Sequence, residues 1–464
     1  MYIAKSAMKP KSSFKLEITV ASEDLTFTLP LISGGTYNFI VNWGDGSANT
    51  TITAYNVGNV HTYSSAGTYK ISMYGTCTRF AFGNAGDKLK IKKILDVVDM
   101  GFTSLNFWGC INLTKLSSHI KRLSHLTSAN YMFLNCTSLV GSIPIDMFRR
   151  STGITGFDET FYGCSGLTGS IPTDLFRYNT NVTTFYGCFS GCSGLTGSIP
   201  TDLFRYNTSA SLLLMSGIFR GCSGLTGSIP TDLFRYNTNV TTFSEAFSGC
   251  SGLTGSIPTD LFRYNTNVTT FVSAFINCNK LTAIPSDLFR YNTLVLSFKQ
   301  SFYGCNKLQL VQDMFYTAGD EATRFLNQSV DFTECFKRTS FTGTQGTAPD
   351  LWNCDFGTGT PIKSYCFEGA GNSTTSLTNY SDIPGQLMTI NVAPAIDWEK
   401  GDIITGQTSN KTCIIVAKVD TTHYQVNSGS YTGWSDGEVI GVTGNTDKLA
   451  DQDAGAPSFA ALWI

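Results

Sequence analysis

No stretch of this sequence reaches the roughly 18 apolar residues of a membrane span. Its opening, "MYIAKSAMKPKSSFKLEITV", holds four lysines (Lys5, Lys9, Lys11, Lys15) but no uninterrupted apolar run long enough for a secretory signal. The expectation is an unprocessed chain without a membrane span, made in a cytoplasm. Charge is also scarce: 14% of the 464 residues are charged and the formal net charge is −2, which speaks against bulk nucleic-acid binding. Catalytic signatures are missing as well. There is no G-x-S-x-G, no H-E-x-x-H, no P-loop and no G-x-G-x-x-G set between strand and helix. No C-x2-C pair occurs, and His119 and His125 lack matching ligands, so neither a metal nor another cofactor is expected.

What the sequence does contain is repetition. "CSGLTGSIPTDLFRYNT" occurs four times unchanged, at 164–180, 192–208, 222–238 and 250–266. An active site needs one asymmetric cluster of groups, whereas a repeated unit supplies the same groups at regular spacing along a surface. Around the copies, Cys110, Cys136, Cys164, Cys192, Cys222, Cys250, Cys278, Cys305 and Cys335 follow one another at intervals of 26–30 residues. A cysteine returning once per repeat occupies one layer of a stack as a small buried hydrophobe, so these thiols are expected to be free rather than bridged. Cys188 alone in that region leaves the column.

A period of this length over at least 107–370 indicates a solenoid of about ten units, each burying its apolar face against its neighbours. Within one unit, Phe247, Cys250, Leu253 and Ile257 fall at strand-like spacing. "TDLFRYNT" can then form one helical turn, with Asp260 as N-cap, Leu261 and Phe262 inward and Asn265 serving backbone groups at the exit. "NVTTF" leads to the next unit. The recurring Phe, Cys, Leu, Ile and Pro, followed by a valine and phenylalanine segment, resemble the BspA-like leucine-rich repeats of bacterial surface proteins across about 107–372. That resemblance implies adhesion and protein or glycan binding, without catalysis.

The flanks are different. "VNWGDGS" followed by "HTYSSAGTYKI" looks like a PKD-type immunoglobulin-like domain, which gives Trp43, Asp45 and His61 structural roles. The stretch "GDIITGQTS" closing with "WSDGEVIGVTG" is similar to a small β domain of bacteriophage virion and tail-associated proteins, with turns at Gly401-Asp402, Gly406 and Asp436-Gly437. The expected fold is therefore mainly β with short helical turns. A basic arm (1–15) precedes an Ig-like β-sandwich (16–80), a leucine-rich-repeat solenoid (81–385) and a small C-terminal β domain (386–464).

Three further columns return with the repeat: Asp174, Asp202, Asp232, Asp260 and Asp287; Arg177, Arg205, Arg235, Arg263 and Arg290; and Tyr178, Tyr206, Tyr236, Tyr264 and Tyr291. Each Asp can pair with the Arg three residues on, making a solvated face. The Arg and Tyr columns can equally serve as a binding strip for sugars, carboxylates or a flat protein partner. Identical exposed carboxylates cannot supply the unequal environments that acid/base catalysis needs.

The resemblances together imply a non-enzymatic bacteriophage virion protein of the tail-fibre, head-fibre or capsid-decoration type, assembled in the host cytoplasm. Its partners would be other virion proteins, bound through the terminal β modules, and a host-surface glycan or protein, in an arrangement compatible with a homo-oligomer. A bacterial cell-surface adhesin and a purely structural spacer or cementing protein are the alternatives.

Overall fold

A computed structural model describes residues 13–316, 319–339 and 346–368, four isolated positions up to 383, and strands between 386 and 461. Most of the basic arm and the turns at 401–402 and 436–437 lie outside the described residues. The fold is mainly β. Strands and tight turns dominate, and among the described residues the one α-helix is the single turn α1, Glu321–Arg324. The chain divides into two compact units, Met1–Thr254 with Asp260–Val268, and Gly255–Thr259 with Thr269–Ile464.

The first unit opens with strands β1 (Phe14–Val20), β2 (Thr26–Thr28), β3 (Tyr37–Asn42), β4 (Thr50–Ile52), β5 (Val60–Thr62), β6 (Gly67–Cys77), β7 (Arg79–Ala81), β8 (Ile91–Asp96) and β9 (Ser104–Asn106). Alternation decides which face each strand buries: Phe14, Leu16, Ile18 and Val20 of β1 point inward, as do Tyr37, Phe39 and Val41 of β3. These strands form a five-stranded antiparallel sheet in the order β4-β3-β6-β1-β8, with β2 paired to β5 beside it. The edge strand β8 comes from beyond residue 80, and Phe80 packs edge-on against Phe14 and at 6.1 Å from Phe107. The sheet and the first repeats therefore share one apolar core.

From Phe107 onward in this unit the backbone of each repeat bonds to the next. Phe157, Glu159, Phe161 and Gly163 donate to the carbonyls of Thr184, Tyr186, Cys188 and Ser190 at 2.7–3.1 Å. Phe185, Gly187, Phe189 and Gly191 repeat the pattern into the following rung. Alternate residues donate outward, which is the parallel β arrangement, although most pairings are single bridges such as Gly156↔Thr184 and Thr184↔Leu214. Inside, Phe107, Phe133, Phe161, Phe189, Phe219 and Phe247 stack face on face with centroids 5.7–5.9 Å apart. Phe148, Phe176, Phe204, Phe234 and Phe262 make a second such column at 6.0–6.4 Å. The glycine of "SGL" is dictated by this closeness. A Cβ on Gly194 would meet the carbonyl oxygens of Leu167 and Ser165 at 2.5 and 2.6 Å.

The second unit stacks in the same way, with Phe275, Phe302, Phe336 and Phe367 at 5.1–5.7 Å. It also contains the short parallel pair β10 (Gly255–Ser256) and β11 (Leu281–Ala283). Strands β12 (Gln386–Thr389), β13 (Ile403–Gly406), β14 (Thr412–Lys418), β15 (His423–Gly429), β16 (Val439–Val442), β17 (Leu449–Asp451) and β18 (Ser458–Ala461) build an open seven-stranded antiparallel sheet in the order β17-β16-β13-β14-β15-β12-β18.

Candidate functional site

The outer corner of each repeat is made by "PTDLFRYN". Leu203 donates to Pro200, Arg205 to Asp202 and Asn207 to Phe204, so the segment is a run of i to i+3 turns rather than an α-helical turn. Leu203, Phe204 and Asn207 are buried while Arg205 and Tyr206 are exposed. The asparagine does more than close its own turn. Asn207 Nδ2 donates to the carbonyls of Phe176 at 3.1 Å and Asn179 at 2.8 Å, both in the preceding repeat. Asn179, Asn237 and Asn265 do the same on their own neighbours. This asparagine ladder locks corner onto corner and keeps the outward side chains in register.

On that scaffold the Arg and Tyr columns meet. Arg177, Arg205, Arg235 and Arg263 each place Nη1 3.2–3.3 Å from the Asp three residues earlier. The first three guanidinium groups also reach the next rung: Arg177 lies 5.0 Å from the Tyr206 ring centre, Arg205 5.5 Å from Tyr236 and Arg235 5.1 Å from Tyr264. The Asp, Arg and Tyr columns thus interleave, with Arg177, Arg205 and Arg235 each held between a carboxylate and an aromatic ring. In the second unit Arg290 stands 5.7 Å from the Tyr291 ring, and Asp287 keeps its Oδ1 buried without a hydrogen-bond partner.

The strip extends further toward the N-terminus than the sequence reading took it. Asn179 Nδ2 donates to Ser151 O and Ser151 Oγ to Leu123 O, which aligns Leu123, Ser151 and Asn179 in one column. Arg150 and Arg122 then occupy the tyrosine position, and Arg149 and Lys121 the arginine position. Arg149 follows the rule of the strip, 3.6 Å from Asp146 and 5.2 Å from the Tyr178 ring. The signal was "DMFRR" at 146–150, a match to "DLFRY" in all but two residues.

Thirteen cysteines are free and buried among the described residues. Cys136, Cys164, Cys192, Cys222 and Cys250 each donate Sγ–H to a phenylalanine carbonyl of the preceding rung at 2.9–3.2 Å. Burial pushes the Cys164 and Cys250 thiols up to about 12. Cys335 does not belong to this column. Phe302 stacks on Phe336, so the partner of Cys305 is Thr339, and Cys335 falls level with Ser301. The interval between Cys305 and Cys335 resembles the repeat only because the intervening segment, which contains α1, lengthens the rung. Cys188 shares the corresponding inner position, bonded to Thr160.

In the N-terminal sheet, Asp45 accepts from Ser47 and lies 2.7 Å from His61, whose ring stacks on Trp43 at 4.7 Å. Burial opposes the charged form of Asp45, but the bonds from Ser47 and His61 outweigh it and hold the carboxyl at about 2. Tyr63 closes the cluster by donating to the Trp43 carbonyl. These contacts brace the turn at Asp45-Gly46. No protein-family model matches the chain, and no curated protein matches it.

Proposed function

We propose that this chain is a non-enzymatic structural protein of a bacteriophage particle. In this reading a leucine-rich-repeat solenoid, set between an Ig-like β-sandwich and a small C-terminal β domain, presents a surface to a host-cell glycan or protein. The observation that carries the binding half is the strip itself. Equivalent Asp, Arg and Tyr groups recur from corner to corner, the arginines exposed, the Asp and Tyr groups half-buried or exposed, and all held in register by buried asparagines. Such an array suits a repetitive or flat partner that gains by engaging several rungs at once. The virion half rests on the likeness of the C-terminal segment to phage modules, and finding the chain by mass spectrometry in purified particles tests it.

One observation favours the spacer reading. Arg177, Arg205 and Arg235 each already have a carboxylate and a ring, so a ligand must displace contacts within the strip. Exposed ion pairs contribute about 0.2–1 kcal/mol and exposed cation–π contacts about 0.5–1 kcal/mol. Those sums are small beside a multivalent gain, so the pairing leaves binding open. The decisive measurement is adsorption of particles carrying Arg→Ala at 177, 205, 235, 263 and 290. A loss of about tenfold or more supports the strip, since each lost contact is multiplied along the array. Unchanged adsorption would leave the repeats as a spacer.

A further inference from the structure

At the N-terminal end of the strip the balance of charge changes. A cleft of about 840 Å³ is bordered by Lys121, Arg122, Arg149 and Arg150, with Asp99 and Asp146 as the carboxylates on its wall. Further along, each rung carries one Asp to one Arg and a tyrosine beside it. Here the tyrosine position is filled by a second cation on two successive rungs, so four cations face two carboxylates. Neither carboxylate is free to neutralise them. Asp99 is committed to Ser124 N and Oγ at 2.6 and 2.7 Å and to His125 Nδ1 at 2.8 Å. Asp146 is engaged by Arg149. Arg122 reaches the Val97 carbonyl and sits 3.7 Å from Asp96. Lys121 and Arg150 have no carboxylate within 4 Å among the described residues. A local excess of cations in a chain of net charge −2 needs a cause.

We propose that this cleft binds an acidic saccharide, a short stretch of polysaccharide bearing carboxylate or phosphodiester groups. Three guanidinium forks converge on one concavity, and a fork matches the two oxygens of a carboxylate or phosphate in a paired geometry that an ammonium cannot reproduce. The Tyr178 ring lies one rung on with the Arg149 guanidinium over it at 5.2 Å, which holds Arg149 at the edge of the cleft. The Ser124 hydroxyl stands on the cleft wall beside the committed Asp99. A polynucleotide would call for a long basic track, whereas the excess of positive charge ends after two rungs, where Asp and Arg return to one-to-one pairing. The saccharide class rests on the binding reading of the strip; the oxyanion chemistry rests on the cleft alone.

The test is titration calorimetry of the full chain with short oligogalacturonate, short polyglycerol phosphate, neutral dextran oligomers and single-stranded DNA of matched charge, at low and high salt. The key variant is Arg122→Tyr with Arg150→Tyr, which installs the residue that the other rungs carry at that position and so suits the fold. A second variant, Lys121→Gln with Arg150→Gln, removes the two unpaired cations without enlarging either side chain. At least one acidic oligomer should bind, more weakly as salt rises, while dextran should not. Both variants should lose about tenfold or more in affinity with an unchanged melting temperature. Binding of oligogalacturonate alone identifies a carboxylate ligand, and binding of the glycerol phosphate alone a phosphodiester. Failure of both acidic oligomers to bind, equal affinity in the variants, or DNA bound as tightly as the saccharides would each overturn the proposal. The variant lacking the five strip arginines retains Arg122 and Arg150. If it still binds the acidic oligomer while adsorption is unaffected, the cleft stands and the strip reading falls. If adsorption depends on the five arginines but no acidic oligomer binds, the reverse holds.

Discussion

Asn207 is wholly buried, yet neither of its amide hydrogen bonds stays in its own repeat. Its Nδ2 replaces water for two carbonyls of the rung before, and its Oδ1 has no partner. The donor half of the amide is therefore the useful half. Asn207→Ala should lower the unfolding free energy by about 1–3 kcal/mol, the cost of leaving buried carbonyls short of a donor. Asn207→Asp keeps the shape but faces those carbonyls with a carboxylate, and should be worse. Denaturant melts of the three proteins check this, and an aspartate variant as stable as wild type would refute the donor role. In the second unit the donating role passes to Arg324, whose Nη2 reaches the carbonyls of Phe289 at 3.4 Å and Asn292 at 3.0 Å. Burial lowers its pKa to about 10, and its Nη1 has no hydrogen-bond partner. Asn179, Asn207, Asn237 and Asn265 do the same work on their rungs without burying a charge.

At the scale of the element, the repeat is a unit of register. Removing 164–191 joins "FYG" at 161–163 to "CSGL" at 192–195, which restores the local sequence of the rung that was removed. Around the deleted segment, the backbone bonds of each described rung run to the adjacent rungs, so the shortened chain should fold with far-ultraviolet circular dichroism scaled to its length and one cooperative melt. Loss of the melt would mean that the repeats are not interchangeable. This interchangeability explains what the sequence revealed and what it hid. The four identical copies displayed the Arg and Tyr columns because every packing residue around them was also identical. The cleft stayed hidden because Ile120 takes the place of Phe148 and Phe176, which erases the landmark by which Lys121 and Arg122 could be aligned. Cys335 shows the opposite case: it keeps the familiar interval although its rung has grown, so spacing alone sets it in a column that it does not share. The ladder role of Asn207 had a signal, a polar residue fixed in every copy amid apolar neighbours, but its partners lie about 28 residues away and only packing brings them together.

For the molecule as a whole, the thiols govern its response to oxidants, and the fold keeps those among the described residues from reacting. Thirteen are buried among the described residues, and burial pushes those of Cys77, Cys164, Cys250 and Cys305 up to about 12, so little thiolate exists near neutrality. Native protein titrated at mildly alkaline pH should label few cysteines, and denatured protein should release the rest; prompt labelling of most thiols in the native state would contradict the burial. The same arrangement sets a direction in time. While folded, the chain is indifferent to the redox state of its surroundings and can pass between reducing and oxidising media without covalent change. Once opened in air, it exposes many equivalent thiols together, and random pairing among them is faster to make than to undo. Refolding would then have to compete with permanent cross-linking, so the lifetime of this protein outside a cell is set by how rarely it unfolds and not by how readily it returns.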